Sequence, residues 1–223
     1  MLAALEPSPP APVSVVHVGG GAGTLARWVA ATRPGSIQVV AEADAALAAG
    51  VTERLGPVPY AVHVGDGRAL LTSRAAGTVD AVVTDAFVGP HVPSALTTVE
   101  YFEQVARVLR PDGVAVLNVA DSAPFAYLRR LVAAVRTVFP DVALLAEPGV
   151  LRGRRFGNVV VVGGATGELP VEVLARAAAG DAAAPARVVT GPSLADLVGD
   201  AEPLRDSDPV DSPPPPEGVF RIR

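Results

Sequence analysis

Between Val13 and Asp44 the chain commits itself to one local architecture. The apolar run VSVVHV ends at Val18 and meets the cluster Gly19-Gly20-Gly21-Ala22-Gly23. A segment of helical spacing follows from Thr24, and a second apolar run, IQVVAE, closes on Glu42. A strand, a glycine turn, a helix and a strand ending in a carboxylate are how an open α/β sheet prepares a nucleoside site. Glycine at 19, 20, 21 and 23 lets the backbone turn tightly and approach a ligand without a Cβ in the way. Glu42, about 20 residues downstream, ends its strand where a pair of ribose hydroxyls can be held.

The alternation continues. Val-rich, non-alternating runs predict strands at Val13–Val18, Ile37–Ala41, Ala61–Val64, Ala81–Thr84, Val114–Val119, Val142–Ala146 and Asn158–Val162, the pattern of strands covered on both faces. Helices are predicted at Thr24–Ala31, Ala45–Leu55, Arg68–Ser73, Thr98–Leu109 and Ala126–Phe139. In the last of these Tyr127, Leu131, Ala134, Val135 and Val138 share a face. Arg110-Pro111-Asp112-Gly113 reads as a turn that stops a helix and launches a strand. Strands alternating with helices imply right-handed βαβ units and a doubly wound sheet with helices on both faces. Beyond Gly163 the pattern weakens to a helix at Pro170–Ala179, a short strand at Arg187–Thr190 and a short helix at Ser193–Val198. We therefore expect an irregular segment over 1–12, one Rossmann-like domain over 13–200 and a Pro-rich tail over 201–223, with Pro213–Pro216 exposed and extended.

Composition removes several function classes. The chain has 223 residues, no cysteine, no lysine, three histidines and a net charge of −5. That excludes disulfides, thiolate metal sites, cysteine nucleophiles, lysine Schiff bases and a P-loop lysine. A mildly acidic chain lacks the footprint of a nucleic-acid binder. No apolar run approaches the ~18 residues of a membrane span, and MLAALEPSPPAP lacks the form of a signal peptide. We expect a cytoplasmic protein with no metal, no nucleic-acid partner and no membrane partner.

In a doubly wound sheet, ligands bind beyond the carboxyl ends of the strands. The first four predicted strands end in Gly19–Gly23, in Glu42 and Asp44, in Gly65-Asp66-Gly67, and in Asp85. The glycine turn passes under the nucleoside or its tail. Glu42 accepts from the ribose hydroxyls, Asp66 beside Gly67 accepts from the adenine amine, and Asp85 meets the reactive end and a second substrate. Plainer roles stand beside these. Asp44 caps the helix starting at Ala45, Asp66 serves a turn, and Asp85 is a loop carboxylate. The dinucleotide fingerprint G-x-G-x-x-G fails at its third glycine, where Thr24 stands. We therefore expect a sulfonium nucleoside of the S-adenosylmethionine type.

The stretches HVGGGAGTLARWVAATRPGSIQVVAEADAAL, HVGDGRALL and VDAVVTDAFVGPHVPSALTTVEYFEQVARVLRPDGVAVLNVAD resemble the spermidine synthases and spermidine-synthase-like proteins, in register from Val13 to Val162. The resemblance implies a class I methyltransferase fold, a seven-stranded, mostly parallel sheet whose last strand is antiparallel. It implies decarboxylated S-adenosylmethionine as co-substrate, an amine acceptor and a homodimer. The family's ribose, adenine and post-strand-four acidic residues fall on Glu42, Asp66 and Asp85.

Two departures bear on chemistry. Where the family carries Gly-Gly-Gly-Asp-Gly, with the Asp holding the aminopropyl ammonium, this chain has Ala22. Where the family's second Asp after strand four deprotonates the amine, it has Val88. Loss of a general base removes roughly 10²–10⁴-fold in rate. Asp85 and His91, in GPHVP beyond the fourth strand, are the candidates to replace it. Asp121 is a further residue expected to face the cleft, whereas Tyr101, His17 and His63 are expected to be structural. Glu100 starts the helix beside Tyr101. The arginines at 152, 154 and 155 form a solvated loop or a rim for an anion. The readings in play are an aminopropyltransferase, a methyltransferase binding full S-adenosylmethionine, and a non-catalytic relative.

Overall fold

The computed structural model describes residues 11–166, 168–180 and 185–216. Eight strands form one sheet in the order β3-β2-β1-β4-β5-β7-β6-β8. They are β1 (Ser14–Val18), β2 (Ile37–Glu42), β3 (Ala61–Val64), β4 (Val79–Thr84), β5 (Leu109–Asp121), β6 (Asp141–Ala146), β7 (Gly157–Gly164) and β8 (Arg187–Val189). The helices are α1 (Thr24–Thr32), α2 (Ala45–Leu55), α3 (Gly67–Ser73), α4 (Val99–Val108), α5 (Ala126–Val138), α6 (Pro148–Leu151), α7 (Val171–Gly180) and α8 (Gly191–Val198).

Strands β1 to β5 pair in parallel, and β7 runs antiparallel between β5 and β6. This is the expected doubly wound sheet with its antiparallel strand. The short strand expected near Arg187 joins it as an eighth member, antiparallel on β6.

One local expectation is corrected. Arg110–Gly113 does not separate a helix from a strand, because β5 already begins at Leu109. Val79 pairs with Leu109 and Ala81 with Val114, so the four residues between bulge out of the ladder. Gly113 is required there, since a Cβ would lie 2.9 Å from the Arg110 carbonyl oxygen.

The sheet is clothed on both faces because its strands are apolar on both. On one face Val16, Val18 and Val82 pack with Leu70 and Leu71 of α3, with α4, with α5 and with α8. Phe102 of α4 sits edge-on between Tyr101 and Phe139, with ring centroids 5.4 and 6.4 Å away. On the other face Val15, Ala81, Val83 and Val116 meet Val29, Leu25 and Trp28 of α1, while α7 covers Ala143, Leu145 and Val162 with Leu174 and Ala178. The expected α5 face is buried apart from Val138, which packs at its margin, and Leu128 and Val132 join it. Helix α2 buries none of its side chains.

Residues 200–212 run back across α3, α4 and α5. Leu204 is fully buried, and its carbonyl accepts from Val99 N–H at 2.9 Å. Asp206 takes a two-pronged ion pair from Arg68, at 2.9 and 2.6 Å, and a hydrogen bond from the Thr98 hydroxyl at 2.7 Å. Arg68 holds this carboxyl below its usual range. Thr98 in turn caps α4 by accepting from Tyr101 N–H. Arg130 reaches Asp208 at 2.6 Å.

Candidate functional site

The strand order sets four informative strand ends side by side, since β3, β2, β1 and β4 are consecutive and parallel. Backbone hydrogen bonds carry the ladder past the strand ends and draw the loops into one ledge. Gly19 N–H donates to the Ala41 carbonyl at 2.9 Å, Gly65 N–H to Glu42 at 2.9 Å and Asp85 N–H to Val18 at 2.8 Å.

One glycine of the cluster is sterically obligatory and a second is tightly fitted. Gly19 sits at φ +97°, where a Cβ would lie 2.4 Å from the Asp85 carbonyl oxygen. Gly20 lies under Glu42, with a Cβ position 3.0 Å from Val40 and 3.1 Å from the Glu42 carboxylate. Glu42 organises the turn directly. Its Oε2 accepts from Gly20 and Gly21 N–H at 3.0 and 3.2 Å, and its Oε1 from Asp44 N–H at 2.9 Å. Oε2 is then fully used by the turn, while Oε1 keeps one lone-pair site, so the half-buried Glu42 can serve turn and ligand together. Helix α1 begins at Thr24 behind Gly23 with no side-chain cap, which leaves its first N–H groups available to a ligand oxygen.

The other predicted residues fall as follows. Asp44 caps α2, accepting from Ala46 and Leu47 N–H at 2.8 and 3.0 Å. Asp66 caps α3 through Oδ1, which accepts from Ala69 N–H at 2.7 Å, and Gly67 packs against Val18 with no room for a side chain. Asp85 accepts from the Asn118 side-chain amide at 2.9 Å. His91 closes a two-bond turn with Val88, and its Nδ1 meets the Ser212 carbonyl oxygen. A carbonyl only accepts, so Nδ1 carries a proton in this contact. Val88 is 71% exposed. Asp121 is buried and accepts from Ser122 and Leu128 N–H at 2.7 and 2.9 Å, capping the start of α5. Burial raises its carboxyl above the usual value. Tyr101 is fully buried and shares a 2.6 Å hydrogen bond with Thr84.

A cavity of about 320 Å³ opens under the glycine turn. It is lined by the turn Gly19–Gly23, by Thr24, Leu25, Ala26 and Trp28 of α1, by His17, Val40 and Val83 of the sheet, and by Asp85. The structure thus brings the glycines and Asp85 together with His17, and His91 is not among the lining residues. Sequence reasoning took His17 as structural and did not single out Gln38 or Asn118; in the structure His17 lines the cavity, Gln38 bonds it and Asn118 bonds Asp85. Each is a polar residue interrupting an apolar strand, and that interruption was the available signal. A larger, open cleft of about 770 Å³ lies at the amino end of β6, beside Asp141 and Glu172, away from the strand ends that form the ledge. Among the described residues, no group of three or more His, Asp or Glu side chains is placed to hold a metal ion.

The spermine/spermidine synthase domain model matches residues 7–146. The chain belongs to this family. A probable spermidine synthase from Corynebacterium glutamicum superposes with a TM-score of 0.79 at 30% identity, covering 87% of this chain and 72% of that one. Spermidine synthase 1 of Hyoscyamus niger is 34% identical over 116 residues, 47% of this chain and 36% of that one. The polyamine aminopropyltransferase of Chromobacterium violaceum is 30% identical over 112 residues, 48% and 42% respectively. The family member described here thus spans less than half the length of the curated relatives it matches. The fold also recurs in human methyltransferase-like protein 13 in complex with SAH, with a TM-score of 0.59 at 22% identity over 73% of this chain and 78% of that one. It recurs again in a spermidine synthase in complex with the transition state analogue AdoDATO, with a TM-score of 0.59 at 17% identity over 78% and 58%. No helix among the described residues is long and apolar enough to cross a membrane.

Proposed function

We propose that this chain binds an adenosyl-sulfonium nucleoside along the β3-β2-β1-β4 ledge and transfers an alkyl group from it to an amine, the aminopropyl group of decarboxylated S-adenosylmethionine being the best-supported cargo. The observation that carries the reading is Glu42. One carboxylate gathers Gly20 and Gly21 N–H and stands at the end of β2, where the family fold offers a ribose its partner. Asp66 accepts from the adenine amine through its second oxygen. Asp85, steadied by Asn118, faces the reactive end. The amine nitrogen attacks the carbon attached to sulfur, the carbon–sulfur bond breaks with its electrons going to sulfur, and a neutral thioether leaves. The surplus proton on nitrogen passes to Asp85. Family membership and the adenosyl ligands of two structural neighbours support this assignment.

A second reading, methyl transfer from full S-adenosylmethionine, is favoured by one pair of features. Ala22 places no negative charge beside the nucleoside tail, and the uncapped start of α1 suits a carboxylate. Titration with both nucleosides separates the readings. Tighter binding of the decarboxylated form supports aminopropyl transfer, and tighter binding of the carboxylated form supports methyl transfer. Absence of both would leave a non-catalytic relative.

A further inference from the structure

Helix α3 carries a cation where a helix disfavours one. Arg68 stands in the first turn of α3, two residues beyond the Asp66 cap, at the positive end of the helix dipole. Its counter-charge comes from 138 residues further along the chain. Asp206 meets the guanidinium with both oxygens, at 2.9 and 2.6 Å, and the same guanidinium donates to the Ala95 carbonyl at 3.1 Å. Arg68 thus joins three segments: the loop that carries Asp66, the loop that follows Asp85, and the C-terminal run around Leu204. The first two leave the sheet from β3 and β4, which stand at opposite ends of the ledge, three strand spacings or roughly 14 Å apart.

The C-terminal run also grips the post-β4 loop along its length. Asp206 accepts from the Thr98 hydroxyl at 2.7 Å, and its N–H donates to Glu100 at 3.0 Å. Asp211 accepts from Ser94 N–H at 2.8 Å. Ser212, 1% exposed, accepts from Val92 N–H through its hydroxyl at 2.7 Å and returns its own N–H to the Val92 carbonyl at 3.2 Å. None of these bonds belongs to a helix or a strand ladder, so each one serves to fix the course of a loop. Asp66 opens α3 and Asp85 opens the post-β4 loop, so the tie at Arg68 limits how far the two loops can part on the open side of the ledge.

We propose that Asp206 is a positioning residue for the nucleoside site: through Arg68 it holds the Asp66 loop and the post-β4 loop at the spacing that a nucleoside bridging Asp66 and Asp85 requires. The proposal rests on the nucleoside reading above. Asp206 acts without touching the ligand. A ligand that spans both loops and a C-terminal run that ties both loops favour the same arrangement, so each strengthens the other, and the coupling is reciprocal. Arg130 and Asp208 provide the contrast. They form an ion pair at 2.6 Å from the same run, but onto α5, which carries none of the ledge residues.

Calorimetric titration of the full chain with 5′-methylthioadenosine, the neutral thioether that aminopropyl transfer releases, tests this. Asp206→Asn should weaken binding roughly threefold to tenfold. Asp208→Asn, which loosens the same run through an ion pair of the same kind, should leave the affinity unchanged. Hydrogen exchange read by mass spectrometry adds a signature that a general loss of stability does not produce. In the parent, adding the nucleoside should slow exchange over residues 204–212, which lie outside the ledge. In Asp206→Asn that slowing should vanish while the slowing over residues 19–23 remains. The parent's exchange response decides the matter even where Asp206→Asn fails to fold. An Asp206→Asn protein that binds as tightly as the parent, or an Asp208→Asn protein weakened to the same degree, overturns the proposal and leaves the nucleoside site standing. So does a C-terminal run whose exchange is indifferent to the bound nucleoside. Failure of the parent to bind the nucleoside overturns the underlying reading and the proposal with it.

Discussion

Gly19→Ala is the sharpest probe of how the ledge is built. The residue sits at φ +97°, and the new methyl group would lie 2.4 Å from the Asp85 carbonyl oxygen, 2.7 Å from its carbon and 2.8 Å from Ala86 Cα. All three are backbone atoms, so no side chain can swing away. A non-glycine residue at left-handed φ costs roughly 1–2 kcal/mol, and forcing a methyl into a filled site typically costs a further ~1–3 kcal/mol. The expected loss is about 2–5 kcal/mol. Gly21→Ala is the matched control, with φ +48° and nothing within 4 Å of its Cβ position. It carries only the backbone cost of roughly 1–2 kcal/mol. Urea denaturation followed by circular dichroism measures both. The account expects Gly19→Ala to be the more destabilised, by about 1–3 kcal/mol. A Gly19→Ala protein within about 0.5 kcal/mol of the parent, or one more stable than Gly21→Ala, would refute the close approach of the β1 and β4 loops.

Other substitutions test separate parts. Leu204→Ala removes a fully buried side chain that pins the C-terminal segment and should cost roughly 2–5 kcal/mol in the same urea assay. His17 has a native pKa below its ordinary 6.5, so the unfolded chain binds more protons just below that value. The associated stability is present above pH 6.5 and is lost as the pH falls beneath it. His17→Leu should flatten that acid slope in pH-resolved denaturation, and an unchanged slope would count against a buried neutral imidazole. Ala22→Asp places a carboxylate in the glycine turn. It should shift preference toward the decarboxylated nucleoside by up to about fivefold, as read by calorimetry.

The sheet was legible because its strands are Val-rich on both faces and are separated by glycine and proline. Its edges were less so. The reading of Arg110–Gly113 as a simple boundary missed that Leu109 already pairs with Val79, because a bulge and a turn use the same residues. The C-terminal segment reads as Pro-rich and polar. Its packing depends on one leucine, Leu204, and on arginine partners more than 60 residues away, and local periodicity does not register such contacts. The site's carboxylates were legible as strand-end residues, since strand order alone brings Gly19, Glu42, Asp66 and Asp85 to one edge. His17 was not. Its position in an apolar strand reads as core, and only the third dimension shows that the neighbouring volume is a cavity. His91 followed the opposite course. It is prominent in a loop, but the fold ties it to Ser212 and places it outside the cavity lining.

The central claim is that Glu42 and the glycine turn form an adenosyl-sulfonium site. Isothermal titration of the parent protein and of Glu42→Ala with S-adenosylmethionine and its decarboxylated form tests it most directly. The account predicts saturable binding of at least one nucleoside to the parent, and at least tenfold weaker binding to Glu42→Ala, about 1.4 kcal/mol. Equal affinity in the two proteins, or no binding of either nucleoside at millimolar concentration, would contradict it.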